Sequence, residues 1–520
     1  MVRSFFRFRP CSSLDSCKQY REIDHDYNNS LFENLSIRRH KTGVSVSKKY
    51  QVVALIGEGS MGTISLAMRR DDFKLGNQER QQYAVKSIVT SRIFNSSVKE
   101  LKNEIKILKC LDHPNIVKAY EVFEESAENI SIVMEHCSGG DLHERRPYSE
   151  HNAAIIVKKL LSAVAFLHSK KITHRDIKLE NIMFESKKLN AEVKLIDFGL
   201  SKTYMGELKK DQHMQPHIMF DIAGQYYSMA PEVFEENYTN KVDIWAVGVV
   251  AFNLLAGRRP FYSENISDMV RKIQECDYSI EGKDWEGKSI LSKDFISKLL
   301  VLDPKERPTA VSAATHPWFD ASFSQDQQPD ESALIRVKDE LDAYKRYGTM
   351  KKVSMLAIAK ISNTSEIEEM RKVFESSDID NDGKLSFFEF KDAMMKFNYT
   401  EKELQNMFTM LDIDGDNTIE YSEFIAATLQ MGTRLSEDRI FESFRLFDTD
   451  NSGKISKKEL KRVLGKDYSN DLVSRMIKEM DQDGDGKISY EEFLGTIRKE
   501  NRKKTSQAFE KAPSYRFVFS

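Results

Sequence analysis

The chain has 520 residues, which is too long for one compact hydrophobic core and indicates two or three domains. Hydrophobic residues make up 40% and charged residues 31%, a balance that argues against global disorder. The formal net charge is -3, no stripe of Lys and Arg marks a nucleic-acid-binding protein, and no run of about 18 apolar residues predicts a transmembrane segment.

Residues 1–49 carry ten Lys or Arg and five Asp or Glu without clear periodicity, and we expect them to form a flexible extension. They contain no secretory signal and no glycine at position 2 for myristoylation. The five cysteines of the chain are few, odd in number and irregularly spaced, which favours a cytoplasmic location over a disulfide framework. An alternative interpretation makes the N-terminus a basic, palmitoylated contact with a membrane surface, built on Phe5, Phe6, Phe8, Cys11 and Cys17.

Two extended runs, Tyr50 to Ile56 and Thr63 to Ala67, flank a glycine-rich turn and predict a β-hairpin. The turn matches G-x-G-x-x-G, in which glycines let backbone N–H groups approach a triphosphate. Strands on both sides distinguish it from a dinucleotide-binding turn, which runs from a strand into a helix. The candidate nucleotide-binding residues here are Ile56, Gly57, Glu58, Gly59, Ser60, Met61, Gly62, Thr63 and Ile64.

A lysine and a glutamate follow the hairpin, and their separation in the sequence is compatible with an ion pair. Lys86 ends the strand-like run Tyr83-Ala-Val-Lys86 and is suited to hold the α- and β-phosphates. Glu104 lies 18 residues later on a segment with helical spacing, so it can pair with that lysine. A short strand around Val133 and then helical stretches as far as Phe319 predict a domain of two lobes.

The segment His174-Arg-Asp-Ile-Lys-Leu-Glu-Asn181 carries the candidate catalytic groups. Asp176 is placed to accept a hydroxyl proton, and Lys178 to neutralise charge on a transferring phosphoryl group. Asn181 and Asp197, which is 16 residues further on, are candidate Mg²⁺ ligands. Phosphoryl transfer asks a protein mostly for positioning and charge neutralisation, so these residue types suit it.

In this order the motifs resemble the eukaryotic protein kinase family over about residues 50–319. The resemblance implies that backbone groups from Glu135 to Cys137 bind adenine, with Met134 behind them and Asp141 on the ribose. Lys178 after Ile177 matches the serine/threonine type, and Asp141 with Glu180 would favour substrates with Arg or Lys upstream of the target hydroxyl. Glu232 of the Ala-Pro-Glu motif would pair with Arg307.

Two departures from the family pattern concern the activation segment. Gln225 follows Gly224 at a position where the family usually has threonine. This replacement bears on the catalytic rate and on the docking of substrates. The segment is long, with 35 residues from Asp197 to Glu232, and the stretch 205–224 contains no Ser, Thr or Tyr. We therefore do not expect phosphorylation of this loop to be the main activating switch.

Beyond a polar linker at 320–332, residues 333–361 show helical periodicity with a basic second half. Four similar acidic loops then begin at Asp378, Asp412, Asp448 and Asp481, at intervals of 34, 36 and 33 residues. Each fits the twelve-residue EF-hand calcium loop, with oxygen ligands at positions 1, 3, 5, 7, 9 and 12.

The candidate calcium ligands follow this spacing. They are Asp378, Asp380, Asp382, Lys384, Ser386 and Glu389; Asp412, Asp414, Asp416, Thr418, Glu420 and Glu423; Asp448, Asp450, Ser452, Lys454, Ser456 and Glu459; and Asp481, Asp483, Asp485, Lys487, Ser489 and Glu492. Asn417 replaces the usual turn glycine, but asparagine tolerates the left-handed conformation, so the second loop should bind. The third loop has one fewer carboxylate and should be weakest, and Leu385 should pair with the partner loop. Mg²⁺ remains an alternative at single loops, although ligand number favours Ca²⁺.

The whole arrangement resembles the calcium-dependent protein kinases of plants and protists over roughly residues 50–500. It implies an α+β bilobal protein kinase fold followed by an all-α calmodulin-like domain of four EF-hands. The expected boundaries are 1–49 extension, 50–319 kinase domain, 320–364 linker and junction helix, 365–500 EF-hand domain and 501–520 tail. ATP, Mg²⁺, Ca²⁺ and protein substrates are the expected ligands and partners.

The resemblance also implies a switch, in which the junction helix from about Ala333 blocks the substrate face until calcium opens grooves that capture it. One alternative is that 333–361 is only a solvated linker helix. Another is a calcium-sensing scaffold whose kinase domain has lost catalysis, for which Gln225 is the best support.

Overall fold

The structure is a computed structural model of the chain. It describes residues 35, 37–40, 43–59, 62–70, 81–89, 95–126, 129–203, 226–235, 237–322, 331–362, 364–429, 437–450, 452–465 and 469–498. The predictions for Ser60, Met61, the stretch 205–224, Gln225, the N-terminal aromatic and cysteine residues, and the tail 501–520 concern residues outside these ranges.

The first lobe is built on one six-stranded sheet with the strand order β1-β5-β6-β4-β3-β2. Its strands are β1 (Arg38–His40), β2 (Tyr50–Gly59), β3 (Gly62–Arg69), β4 (Gln82–Val89), β5 (Ala119–Glu124) and β6 (Asn129–Glu135). The predicted hairpin is confirmed as β2 paired antiparallel with β3. Helix α1 (Asn95–Lys109), which confirms the helical spacing around Glu104, buries Ile105 and Leu108 in the core of the two-lobed domain.

Strand β1 differs from the expected flexible extension. Its residues Arg38, Arg39 and His40 pair in parallel with Glu121, Val122 and Phe123 of β5 at the edge of the sheet. Ile37 is 3% exposed within the core of the two-lobed domain, residues 43–322, so apolar packing orders this part of the chain. The expectation of flexibility is therefore wrong for residues 37–40.

The second lobe is helical. Its helices are α2 (Glu150–Ser169), α3 (Lys241–Ala256), α4 (Ile266–Gln274), α5 (Ile290–Leu299), α6 (Ala310–Ala314) and α7 (Pro317–Ser322). Four short strands lie beside them: β7 (Ile172–Thr173), β8 (Ile182–Phe184), β9 (Val193–Leu195) and β10 (Lys202–Thr203). Among the described helices, α2 alone has the length and composition of a membrane-crossing segment, but 61% of that window is buried in the protein. Ser149 caps it by accepting from Asn152 N, and its apolar residues form the centre of the lobe.

The segment that the sequence predicts as one amphipathic helix is two helices, α8 (Glu331–Tyr344) and α9 (Thr349–Ile361). The break occurs at Gly348, where an added Cβ would meet the Glu479 carboxylate at 2.3 Å. That carboxylate accepts from Met350 N at 3.0 Å and Lys351 N at 3.1 Å, so it caps the start of α9 from another helix.

The C-terminal unit, residues 364–498, is made of four helix–loop–helix segments. Its helices are α10 (Thr364–Ser377), α11 (Phe387–Met394), α12 (Glu401–Leu411), α13 (Tyr421–Thr428), α14 (Glu437–Phe447), α15 (Lys457–Leu464), α16 (Asn470–Met480) and α17 (Tyr490–Arg498). Short strands join the loops in pairs: β11 (Lys384–Leu385) with β12 (Ile419–Glu420), and β13 (Lys454–Ser456) with β14 (Lys487–Ser489). Leu385 lies opposite Ile419, which confirms the predicted pairing.

Both junction helices are packed inside the C-terminal unit. Helix α9 contacts α13, α14 and α16, and α8 contacts α13 and α10. Met350, Leu356 and Ile358 of α9 are each 0% exposed, in one hydrophobic cluster with the unit's own core. The solvated-linker alternative is therefore wrong for these helices.

The C-terminal unit also contacts both lobes of the two-lobed domain. Arg69 of β3 pairs with Glu442 at 2.5 Å, and Asp112, after α1, accepts from Ser422 N at 3.0 Å. On the second lobe Arg371 pairs with Glu192 at 2.6 Å. These contacts, which we call the docking interface, fix the unit across the boundary between the lobes.

Additional groups close the docking interface around the first two calcium loops. Lys170 at the end of α2 bonds Glu420 of the second loop. Gly383 of the first loop lies so near His113 that an added Cβ would be 2.4 Å from the ring. The calcium loops themselves therefore take part in docking.

Candidate active site and calcium-binding loops

Three charged side chains meet between the two lobes. Lys86 Nζ lies 2.7 Å from Glu104 Oε1 and 3.1 Å from Asp197 Oδ1, as the spacing of the sequence motifs predicts. Both carboxylates raise the pKa of Lys86, against the opposing effect of burial. Burial works to raise the pKa of Asp197, but the charge of Lys86 and hydrogen bonds from Lys86 and Gly199 N lower it overall. At neutral pH the site therefore holds a fixed ammonium group and an ionised carboxylate.

Asp176 lies buried beside this group with its two oxygens in different environments. Its Oδ2 accepts from Lys178 Nζ at 2.7 Å and from Asn181 Nδ2 at 2.8 Å. Its Oδ1 is buried and has no hydrogen-bond partner within the described part of the chain. A buried carboxylate oxygen without a donor is costly, so this atom is prepared to accept a hydrogen bond from a bound hydroxyl group.

The backbone around these residues is held by a carboxylate that the sequence motifs did not single out. Asp243 of α3 is 1% exposed and accepts from His174 N at 3.0 Å, Arg175 N at 2.9 Å and His168 Nε2 at 2.8 Å. Arg175 has φ +70° and Asp197 φ +62°, a conformation that non-glycine residues rarely adopt. An Asp within the apolar run Val242-Asp-Ile-Trp245 was the signal that would have found this residue.

The glycine-rich turn lies between β2 and β3, and Ile64 of β3 pairs with Lys86 of β4. Gly62 pairs with Ile88 of β4, and a Cβ there would lie 1.9 Å from the Ser87 carbonyl oxygen, so only glycine fits. The other described candidate residues of the turn lie on the paired strands: Ile56, Gly57, Glu58, Gly59, Thr63 and Ile64.

The predicted adenine and ribose contacts lie at the end of β6 and on the segment after it, which connects the lobes. Glu135 ends β6 and pairs with Lys194 at 3.2 Å, and Cys137 is buried. Asp141 Oδ1 accepts from the backbone of His143 and Glu144, which fixes that carboxylate at the start of the second lobe.

The end of the activation segment is tied to the second lobe by the predicted ion pair. Arg307 donates from Nη1 to Glu232 Oε1 at 2.6 Å and from Nη2 to Oε2 at 2.8 Å. Arg307 is 1% exposed and stacks over Trp245 at 4.9 Å. This bidentate pair fixes the Ala-Pro-Glu motif against the core.

All four acidic loops share one hydrogen-bond pattern. The first aspartate of each loop accepts, through Oδ2, from the backbone N–H of the sixth residue, at distances of 2.9 to 3.1 Å. The glutamate at position 12 accepts through Oε1 from the backbone of the second and third residues. Asn417 has φ +62°, the left-handed conformation expected of it. These bonds fix the first and the last carboxylate of each loop against its backbone.

Every loop contains a group of three acidic residues whose carboxylate oxygens, one from each residue, lie within 4.8 Å of one another, an arrangement that can hold a metal ion. Burial and the neighbouring Asp380 raise the pKa of Asp382 to about 6, and burial with Asp382 raises the pKa of Asp378. Such repulsion is relieved by a cation. At position 7 the side chains of Lys384 and Lys454 turn away to Asp416 and Asp485 of the paired loops, so their carbonyls remain the candidate ligands.

A cleft with this lysine, these carboxylates and a glycine-rich turn, joined to paired calcium loops, defines an ATP-dependent protein kinase with a calcium sensor. The family model described as protein kinase domain matches residues 50–319. Models described as EF-hand domain pair match residues 437–498, and 349–397 with 394–429.

Curated relatives agree with both parts of the chain. It is 32% identical over 466 residues to calcium-dependent protein kinase 29 of Arabidopsis thaliana, covering 88% of this chain and 83% of that protein. It is also 32% identical to calcium-dependent protein kinase 19 of Oryza sativa subsp. japonica, over 81% of this chain and 76% of that protein. The chain belongs to the calcium-dependent protein kinases. It is a calcium-activated serine/threonine kinase that uses ATP, Mg²⁺ and Ca²⁺.

The residues present fit these ligands. The carboxylate of Asp197 and the amide oxygen of Asn181 are the hard oxygen donors that Mg²⁺ prefers. The four loops offer the carboxylate-rich sets that suit Ca²⁺.

Proposed function

We propose that Asp176, Lys178, Lys86 and Asn181 carry the phosphoryl transfer from ATP to a protein hydroxyl. The observation that carries this assignment is the buried, unpartnered Oδ1 of Asp176 beside the Lys86–Glu104–Asp197 group. Asp176 Oδ1 would accept the proton of the attacking serine or threonine hydroxyl, with Oδ2 held by Lys178 and Asn181. Mg²⁺ supplies charge neutralisation on the phosphates when it is bound.

The other chain groups would position and neutralise. Glu104 holds the Lys86 ammonium where it can bind the phosphates, and Lys178 lies on the side of the reacting hydroxyl. Asp243 acts as a positioning residue, since it fixes the backbone on both sides of the His174–Arg175 bond. The glycine-rich turn would cover the nucleotide.

The test is transfer of labelled phosphate to a serine peptide in calcium and in chelator. We expect transfer in calcium, little in chelator, and a loss of about a thousandfold or more in Asp176→Asn. Transfer in neither condition would favour the calcium-sensing scaffold. Full activity in Asp176→Asn would refute the assignment of the base.

We propose further that the docked arrangement is the activated form, and that α8 covers the substrate face when calcium is absent. The capture of α8 and α9 inside the C-terminal unit supports this proposal. So does the position of the docking interface, because none of its described ion pairs or hydrogen bonds involves Asp176, Lys178 or Asp197. To shift the protein almost completely from the inhibited to the activated form, calcium must bind the activated form more tightly by about 5.5 kcal/mol in total.

Amide hydrogen exchange tests the switch. Calcium should protect α9 strongly, because its amides then lie inside the C-terminal unit. Equal protection of α9 with calcium and with chelator would refute capture as the calcium-driven step.

For substrates we propose a preference for Arg or Lys upstream of the hydroxyl. Glu180 supports it: its Oε2 accepts from the Tyr227 hydroxyl, and its Oε1 has no partner among the described residues. Replacing the upstream Arg or Lys of a peptide by alanine should raise KM for the wild-type protein. In Glu180→Gln the difference in KM between the two peptides should mostly disappear.

We propose a cytoplasmic location, on the basis of cysteine usage and because Cys110, Cys137 and Cys276 form no disulfide among the described residues. Fractionation of cells that express the whole chain would test this, and a protein recovered mainly with membranes would refute it.

A further inference from the structure

A basic cavity of about 560 Å³ opens on the second lobe. We call it the basic cleft, and its lining includes His143, Arg146, Arg258, Arg259, Tyr262 and Lys272. Three separate segments build it: the chain before α2, the loop after α3, and helix α4. Neither the kinase motifs nor the calcium loops account for this concentration of cationic groups.

The charges of the basic cleft are poorly compensated. Arg258 pairs with Asp284 at 2.7 Å, but both side chains are about half exposed. Within the described part of the chain, no carboxylate pairs with Arg146, Arg259 or Lys272. A concave site with one sign of charge concentrates counter-ions of the opposite sign.

Neutral groups hold these side chains in place without neutralising them. Arg146 donates to Asn253 Oδ1 at 3.2 Å and to the Gly257 carbonyl at 3.4 Å, while its buried Nε lacks a described partner. Lys272 donates to the Tyr262 carbonyl at 3.2 Å. A buried guanidinium N–H without an acceptor is a donor prepared for an anionic ligand.

The basic cleft adjoins the catalytic segment through two contacts. The Arg259 guanidinium stacks on the Tyr227 ring at 4.0 Å, and the Tyr227 hydroxyl donates to Glu180. Glu180 lies two residues after Lys178. A peptide whose hydroxyl reaches Asp176 therefore passes close to the mouth of the cleft.

We propose that the basic cleft is a specificity subsite for an acidic or phosphorylated side chain of the protein substrate, separated by a few residues from the target hydroxyl. The proposal deepens the proposed kinase function and depends on it. A concave site of this volume has room for a short peptide segment that includes an anionic side chain, whereas a lipid surface or a nucleic-acid duplex needs an extended basic face. The preferred substrate then has a basic residue that lies near Glu180 and an acidic or phosphorylated residue that lies in the basic cleft.

The test uses peptides that differ at one position only. Each carries the same target serine and upstream arginine, and alanine, glutamate or phosphoserine is moved through the other positions. For the full-length protein in calcium we expect one position at which the anionic residue raises kcat/KM about tenfold over alanine. Phosphoserine should exceed glutamate if a phosphate is the natural ligand, and the reverse order would indicate a carboxylate.

Variants assign the preference to the basic cleft. Arg259→Ala and Lys272→Ala should each lower the ratio of kcat/KM between the anionic and alanine peptides to near one. Arg271→Ala is the matched control, because Arg271 is exposed on the same helix as Lys272 and pairs with Glu275. It should keep the wild-type ratio.

Binding of a fluorescent phosphopeptide, measured by anisotropy, decides the proposal even if no peptide is phosphorylated. In that case the proposed function fails, while loss of binding in Arg259→Ala and Lys272→Ala but not in Arg271→Ala still supports the cleft. Equal affinity in all four proteins overturns it. So does an anionic preference that survives both substitutions, or binding to anionic vesicles or RNA in place of the phosphopeptide.

Discussion

Capture of α9 by the C-terminal unit can be weakened by removing buried methyl groups. Ile358 is 0% exposed among the helices of that unit, whereas Ile335 of α8 is 46% exposed. Ile358→Ala should cost about 3 kcal/mol of capture, since a buried Ile-to-Ala change loses both transfer energy and packing. Ile335→Ala is the matched control and should cost only a few tenths of a kcal/mol.

That loss converts into a shift of the calcium midpoint for kinase activity. About 3 kcal/mol is a factor of about 150 in the capture equilibrium. If four calcium ions drive capture together, the midpoint rises by the fourth root, about 3.5-fold, and if two ions drive it, about 12-fold. Peptide phosphorylation across a calcium titration, with both variants beside the wild type, measures the shift.

Two results would refute this reasoning. An unchanged midpoint in Ile358→Ala would mean that capture does not limit activation. A lower midpoint, or activity in chelator, would mean that Ile358 stabilises the inhibited form more than the captured one.

Three further predictions concern contacts outside the reacting groups. Glu479→Ala removes the carboxylate that caps α9 and should cost about 1 kcal/mol of capture, raising the calcium midpoint modestly, whereas Glu479→Gln should lose less. Arg307→Ala leaves Glu232 buried without its partner and should lower the free energy of unfolding by about 3–5 kcal/mol in urea titrations. Acid should weaken docking through His113, because burial first, and the charge of Lys194 second, lower its pKa to about 3.

The direction of the pH effect on docking depends on which form of the protein binds a proton at His113. The docked form keeps the imidazole neutral, because burial first and the charge of Lys194 second lower its pKa. Undocking removes part of that burial and raises the pKa towards the ordinary value of about 6.5, so docking stability is greatest above that pH and falls as the pH drops below it. The calcium midpoint should rise less between pH 7.5 and 5.5 in His113→Asn than in the wild type, because the loop carboxylates titrate in both proteins.

Each of these expectations has a clear contrary outcome. A midpoint in Glu479→Ala equal to that of the wild type would show that α9 needs no cap. An unfolding free energy of Arg307→Ala within 1 kcal/mol of the wild type would show that water or another group replaces the ion pair. An identical pH response in His113→Asn would place the acid effect wholly in the calcium loops.

The features that sequence predicted well are those set by local residue types and spacing. The hairpin at β2 and β3, the pairing of Lys86 with Glu104, and the left-handed Asn417 follow from short motifs whose geometry is nearly invariant. The pairing of Leu385 with Ile419 follows from the internal repeat.

The features that sequence missed depend on contacts between distant segments. The break at Gly348 exists because Glu479 needs the space, and α8 and α9 otherwise share one uninterrupted helical pattern. Ser422 N meets Asp112 across 310 residues of chain, and neither residue belongs to a motif. Strand β1 is three residues long, too short for periodicity to reveal.

The docking interface has a consequence for the nucleotide as well as for the substrate. The C-terminal unit pairs with Arg69 on the first lobe and with Lys170 and Glu192 on the second, so these contacts oppose hinge motion between the lobes. ATP binds between the two lobes, so a contact that restricts hinge motion couples ATP binding to calcium binding. Because such coupling is reciprocal, the factor by which calcium raises the affinity for ATP is also the factor by which ATP raises the affinity for calcium.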